Sequence, residues 1–387
     1  MASKQLVLTS LIFASACSSQ PTADKPGAGT GADASTQDAV VDAAPDGPPA
    51  YIACVSAEAV DAGADCGTLS WVKSPVAAAR PRNHHLSEVV QTKSGPFLYE
   101  LGGFNVSSTF ANVDRAAINP DGSLGAWAAQ AAMPSGLGGF TGGAVGNVMV
   151  IAGGEYSSVT ITDLSYSAVV QDDGSIAAWR TWGTIGHPRM HAGSFIQGNT
   201  IYVLGGFQDN TVWSDIVKAT VQPDGTVSAW TTAGQLPGPR SHMSVSRVGK
   251  YVYITGGMAI SAYQNPPALT DVSRAEIAAD GTLGSWTTMT ALPYGVATHA
   301  SFVYGGYLYF GGGIYDTSIT ANEEKRVWRA AIDAAGAIGA WEQVASLQIA
   351  RGHVQQLPLF ENHVYSVAGA IDFNLTATSE LDIGTFQ

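Results

Sequence analysis

Short apolar runs, each stopped by a pair of glycines, recur along this chain at a nearly even spacing. One of them is Ile201-Tyr202-Val203-Leu204, ended by Gly205-Gly206. β-Branched and aromatic residues bounded by turn formers read as a strand. Before it, Arg189-Met190-His191-Ala192-Gly193-Ser194-Phe195 alternates small or apolar with polar positions, a second strand signature, and Asn199 separates the two. After the glycines a variable loop leads into residues 215–221, which read as a third strand. Pro223-Asp224-Gly225 has the residues a tight turn demands, and residues 226–230 read as a fourth strand. No long stretch carries helical periodicity.

The unit repeats. Trp71, Trp127, Trp179, Trp230, Trp286 and Trp341 are spaced by 56, 52, 51, 56 and 55 residues, and a glycine pair follows each. The pairs are Gly102-Gly103, Gly153-Gly154, Gly205-Gly206, Gly256-Gly257 and Gly312-Gly313, with Ala368-Gly369 as a worn sixth. Self-similarity near 50 residues marks a repeat architecture, and four short strands in a meander make one blade of a propeller. The expected fold is all-β, a six-bladed β-propeller of four-stranded antiparallel blades. The chain enters the repeats with a lone fourth strand at residues 65–72 and leaves with a third strand at 379–384. The last blade is therefore expected to be closed by an N-terminal outer strand, which removes free sheet edges at the seam.

The Asp-Gly turn stands six residues before Trp at Asp121, Asp173, Asp224 and Asp280, and Arg-x-His precedes the inner strand at Arg82/His84, Arg189/His191, Arg240/His242 and Arg351/His353. The fifth copy offers His299 with Ala297 at the arginine position, and the second has Gly139 where histidine is expected. With the glycine pair and the outer-strand Trp, these motifs over residues 65–387 resemble kelch repeats. The resemblance implies a propeller, as in the central domain of galactose oxidase and in the sialic-acid mutarotase. It departs from the family in placing Trp after Asp-Gly. No cysteine lies within the repeats, so the copper and cross-linked tyrosine of galactose oxidase are not implied, and no cofactor or metal is expected.

Composition narrows the partners. Formal net charge is −13, and the 18 Lys and Arg are scattered rather than clustered, which argues against nucleic acid. At the N-terminus, Lys4 precedes an apolar run at residues 6–14, too short to span a bilayer, and Ala14-Ser15-Ala16 suits cleavage. Residues 1–16 read as a signal peptide. Ala14-Ser15-Ala16-Cys17 resembles the lipobox of bacterial lipoproteins, which implies acylation of Cys17 and, with Ser18 following, an outer-membrane lipoprotein; the alternative is secretion with Cys17 free. Lipidation would leave Cys54 and Cys66 to form a disulfide. Residues 17–50, rich in Ala, Pro, Gly and Asp without an aromatic, read as a disordered tether, and 51–387 as the propeller. Membrane contact is expected only through the lipid, and the expected state is a monomer.

What repeats in every blade is expected to serve the scaffold: the Trp, the glycine pairs and the Arg-x-His. Binding is expected where the copies differ, in the loops after the glycine pairs. Each carries an aromatic: Phe104, Tyr156, Phe207 with Trp213, Tyr263, Tyr315 and Phe373. Arg189, Arg240 and Arg351 are the candidate cations at the same mouth, and Glu155 and Asp209 are candidate carboxylates there. The chemistry points first to a surface-tethered module that binds a protein or glycan. The alternatives are a mutarotase-like carbohydrate-active enzyme using Arg and His at the channel mouth, and a structural envelope protein.

Overall fold

The computed structural model describes residues 67–387 apart from 107, 157–159, 265, 316–321 and 373. The segments expected to be a leader and a tether, with Cys17, Cys54, Cys66 and Phe373, lie outside the described residues. Six four-stranded antiparallel sheets follow one another along the chain. In blade 3 they are Gly193–Gln197, Thr200–Leu204, Asp215–Thr220 and Thr231–Gln235. Ile201, Tyr202, Val203 and Leu204 are buried on both faces because a blade packs on either side. The outer strand begins just after Trp230 rather than ending on it. The residues beyond the Asp-Gly turn hold the third strand by the single bridge Val221↔Val227, and regular pairing resumes at Lys218↔Thr231.

Blade 6 takes Leu359–Phe360, His363–Val367 and Leu381–Phe386 from the C-terminal end and its outer strand, Leu69–Lys73, from the N-terminal end. Trp71 lies opposite Gly384 in this pairing. The seam is where the repeat count placed it, with the C-terminal strand shifted two residues onward.

A second closure runs around the ring. The N–H of the second glycine of each pair donates to the carbonyl two residues before the ring position of the next blade. The bonds are Gly103 to Leu137, Gly154 to Arg189, Gly206 to Arg240, Gly257 to Val296, Gly313 to Arg351 and Gly369 to Arg82, all 2.7–2.8 Å. Gly205 and Gly206 have φ of 57° and 93°, and a Cβ on Gly205 would lie 2.2 Å from the Arg240 carbonyl oxygen. Only glycine permits both the left-handed turn and this approach.

Two further periodic contacts tie blade to blade. Indole N–H groups reach back to the preceding blade: Trp127 to the Ala77 carbonyl at 2.7 Å, Trp286 to Gln235 at 2.7 Å and Trp341 to Thr290 at 3.2 Å. Tyrosine hydroxyls on the second strand reach forward to a glycine carbonyl in the turn before the next outer strand: Tyr99 to Gly174, Tyr202 to Gly281 and Tyr365 to Gly122 in Asp-Gly turns, and Tyr253 to Gly336 in the Ala335-Gly336 turn. Blade 2 has Val150 at that place, and Ser167, its partner across the strand pair, donates to Gly225 instead. Among the described residues no helix is long and apolar enough to cross a membrane.

Candidate functional site

The Arg-x-His segment carries each inner strand to the mouth of the central channel. Its arginines turn inward to the protein. Arg189 donates from Nη1 to the Gly205 carbonyl at 2.8 Å and grips Asp215 through both terminal nitrogens at 2.9 and 2.7 Å. Arg240 repeats this with Gly256 and Asp271, and Arg82 with Gly102 and Asp114. Arg351 binds the Ala368 carbonyl and Asp382, and both of that ion pair are at most 1% exposed. Each guanidinium thus clamps the glycine-pair corner of its own blade. Blades 2 and 5 lack the arginine, with Leu137 and Val296 at its place. Blade 2 also lacks the acid: Leu164 stands where Asp215 does in blade 3, and it packs with Leu137 in one apolar cluster. The ion pair is replaced as a unit, as expected when an unmatched buried charge would be costly.

The histidines meet at the axis. His84, Gly139, His191, His242, Thr298 and His353 occupy equivalent places, all with φ between 51° and 64°. Backbone bonds link them in sequence: Gly139 to His84, His191 to Gly139, His242 to His191, Thr298 to His242, and His84 to His353. Thr298, not His299, is thus the fifth member, and Val296 rather than Ala297 holds the arginine place. His299 is turned aside and binds the Thr255 hydroxyl at 2.8 Å. The four remaining imidazoles stack in pairs, His84 on His353 at 4.1 Å and His191 on His242 at 3.9 Å, with His84 edge-on to His191. Burial lowers His242 and His353 to about 3 and holds His84 and His191 well below the usual imidazole range. These rings form a neutral plug across the channel.

Beneath the plug is a cavity of about 60 Å³ lined by Thr141, Ser194, Ser244, Ser301, Gln355 and Gln356 among others, with no Asp, Glu, Lys or Arg in its wall. It has room for a few waters. Among the described residues no group of three or more His, Cys, Asp or Glu is placed to hold a metal ion.

Above the plug lies a second ring, formed by the residue that follows each glycine pair. Phe104, Glu155, Phe207, Met258, Ile314 and Ala370 hold these places, each paired with the segment before its inner strand. The Phe104 ring sits 4.7 Å from His84, and Phe207 lies 5.2 Å from His242. The other aromatic candidates scatter. The Tyr156 hydroxyl is bonded to Tyr166 and its carbonyl accepts from Thr109 of blade 1, so it fills a gap between blades. Trp213 stacks on His187 at 4.1 Å. Tyr315 packs with Tyr294 and Arg326. The Tyr263 side chain is outside the described residues; its backbone belongs to the short helical turn Ala262–Gln264. Phe104, Glu155 and Phe207 thus hold corresponding places in three successive blades around the mouth, while Arg189, Arg240 and Arg351 are buried in clamps.

No protein-family model matches the chain. Among known proteins it is similar to the Kelch repeat and BTB domain-containing protein 1 of camelpox virus, 30% identical over 156 residues, 39% of this chain and 26% of that protein. It is 26% identical to the Kelch-like protein terF of Aspergillus terreus over 268 residues, 65% of this chain and 54% of the relative. Alpha-scruin of Limulus polyphemus is 25% identical over 206 residues, 53% of this chain and 21% of it. The solved structure of YjhT superposes with a TM-score of 0.63 at 13% identity, covering 79% of this chain and 95% of that one. The repeats are of the kelch type. The chain spans about a quarter of the length of the first viral relatives it matches.

The two faces of this kelch propeller differ. One carries the Asp-Gly turns, each built alike: the aspartate accepts from the backbone N–H two residues on, at 2.8–3.0 Å in Asp121, Asp173, Asp224 and Asp280. The other carries the glycine-pair loops. Four large hydrophobic residues are exposed among the described residues, and three of them, Val106, Ile260 and Ile371, stand on these loops. Nothing in the repeat pattern marks these aliphatic tips, whose exposure depends on how the loops fold.

Proposed function

We propose that the protein is an interaction module that recognises a protein partner through the glycine-pair loop face of its kelch propeller. The carrying observation is the placement of Val106, Ile260 and Ile371, solvent-exposed on loops of blades 1, 4 and 6 on one face of a rigid ring. Aliphatic side chains presented on variable loops around a fixed scaffold suit protein surfaces. The kelch-repeat character of the relatives supports a protein-binding role as well. A sugar-binding or mutarotase-like site finds less support: Phe207 is buried, Trp213 is covered on one face by His187, and the candidate arginines are held in ion pairs.

We further propose that the module is held at the bacterial envelope by a lipid on Cys17, through the tether 17–50; the lipobox-like Ala14-Ser15-Ala16-Cys17 supports this. The test is cross-linking and affinity capture from envelope extract with the native chain and with Val106→Asp/Ile371→Asp. A partner captured only by the native face carries the reading. Equal capture by both chains, or none by either, sinks it. Cys17→Ser should move the protein from the membrane to the soluble fraction.

A further inference from the structure

The mouth of the channel holds one carboxylate that the scaffold does not use. Glu155 occupies the second-ring position between Phe104 of blade 1 and Phe207 of blade 3, and is only 6% exposed. Its backbone is bridged on both sides, to Gly138 and to Ile161, so its register is the one that sets Phe104 and Phe207 beside the channel histidines. No ion pair or hydrogen bond reaches its carboxylate among the described residues, and burial alone pushes it up to about 7. A residue of this kind departs from the six-fold pattern. The corresponding places hold Phe, Phe, Met, Ile and Ala, so the fold does not require an acid there.

The surrounding face has the same sign. Asp209 stands at the tip of the blade 3 hairpin, and Glu323 lies close enough to Asp372 across blades 5 and 6 for the two charges to disfavour each other. The face's arginines are paired in place: Arg80 and Arg82 with Asp114 and Glu100, Arg189 with Asp215, Arg240 with Asp271, Arg326 with Glu324 and Arg351 with Asp382. Against these acids stands Lys325, exposed at the end of the fifth loop. A partner for such a face brings positive charge.

We infer that the partner is a basic protein segment that inserts one lysine or arginine side chain into the channel mouth beside Glu155, with apolar neighbours resting on Val106 and Ile371. The chemistry is complementary at each contact. The half-desolvated Glu155 carboxyl gives up its proton as the inserted cation pairs with it, and the Phe104 ring adds a cation–π contact. The methylene stem of the inserted side chain covers the apolar second ring, as long basic side chains commonly do. This inference rests on the interaction reading above and names the chemistry of its partner.

The test pans a random dodecapeptide library displayed on phage against the full chain. Enriched peptides should share one position fixed as Lys or Arg with aliphatic residues nearby. Synthetic copies with that residue replaced by norleucine or citrulline should bind roughly thirtyfold more weakly or worse. Glu155→Gln, an isosteric change, should weaken the basic peptide by a similar factor while leaving the neutral copy unaffected. Peptide replacement needs no variant protein, so it decides even where Glu155→Gln alters folding. Enriched peptides that depend on Val106 and Ile371 but tolerate loss of their basic residue, or that bind Glu155→Gln equally, overturn the inference and leave the interaction face standing. A library that yields no binder overturns both.

Discussion

The guanidinium of Arg189 grips the carboxylate of Asp215 through two hydrogen bonds of 2.9 and 2.7 Å, and the same group holds the carbonyl of Gly205. One side chain thereby fastens the entry of its blade to both the third strand and the glycine corner. Arg189→Ala should cost about 3–5 kcal/mol, because it leaves a carboxylate and a carbonyl without their partner. Blade 2 already runs on Leu137 and Leu164 at these places. The double change Arg189→Leu/Asp215→Leu should therefore recover most of the loss. Urea unfolding of the two variants checks this; a double variant no more stable than the single one would show that the clamp works through more than its own pair.

The outer strand of blade 6 comes from the other end of the chain, and Gln348 fixes it further by donating to the Trp71 carbonyl at 2.6 Å. Removing residues 69–73 would bare the edge of Leu381–Phe386, a ready site for strand pairing. The truncated chain should melt at lower temperature and self-associate in sedimentation runs, whereas removal of residues 1–50 should leave the melting temperature unchanged.

The tyrosines that reach these glycine turns give a graded test. Tyr253→Phe removes only the hydroxyl that meets the Gly336 carbonyl at 2.8 Å. The expected loss is about 1 kcal/mol, and a similar loss is expected for Tyr99→Phe, whose hydroxyl bonds Gly174. Val150→Ala in blade 2, where Ser167 makes this contact, should leave that link intact and register only as lost packing. Thermal unfolding separates the cases.

Stability should fall gently and then steeply as pH is lowered. His85, His242, His299 and His353 are lowered to about 3 by burial, with His84 and His191 also far below their ordinary value. As pH falls below about 6.5 the unfolded chain binds protons there that the fold does not, costing about 1.4 kcal/mol per pH unit for each imidazole. Glu88, Glu100, Glu155 and Glu323 are raised to about 7, first by burial, so from neutrality down to the ordinary carboxylate range the fold binds protons that the unfolded chain does not. The two effects oppose each other until the unfolded carboxylates also protonate. Six imidazoles outnumber four carboxyls, so denaturation midpoints should drift downward from about pH 7 to 5 and collapse between roughly 4.5 and 3. Replacing His242 by Asn should soften the collapse; an unchanged acid limb would mean the plug is not its source.

The blade count, the seam and the glycine corners were legible from the chain because each is a local demand repeated six times. An apolar run needs cover on both faces, a left-handed corner needs glycine, and a lone fourth strand at one end needs three strands from the other. The outer strands were misplaced by a few residues for the opposite reason. A strand with a neighbour on one side has no strict alternation, so its register is set by the third strand. His299 was aligned with the other histidines by its letter alone. The ring itself selects Thr298, whose N–H lies over the His242 carbonyl at 2.9 Å.

Amino-acid order thus determined the propeller, its closure and the division between periodic scaffold and variable loops, since these follow from patterning within a single repeat. Which loop residues reach solvent, and which arginines and carboxylates are spent, was decided only by the tertiary structure. Burial and pairing depend on the neighbouring blade, which stands some fifty residues away in the chain. In sequence Phe104 and Glu155 are two candidates among many on the glycine-pair loops. Only the closed ring places them together at one mouth.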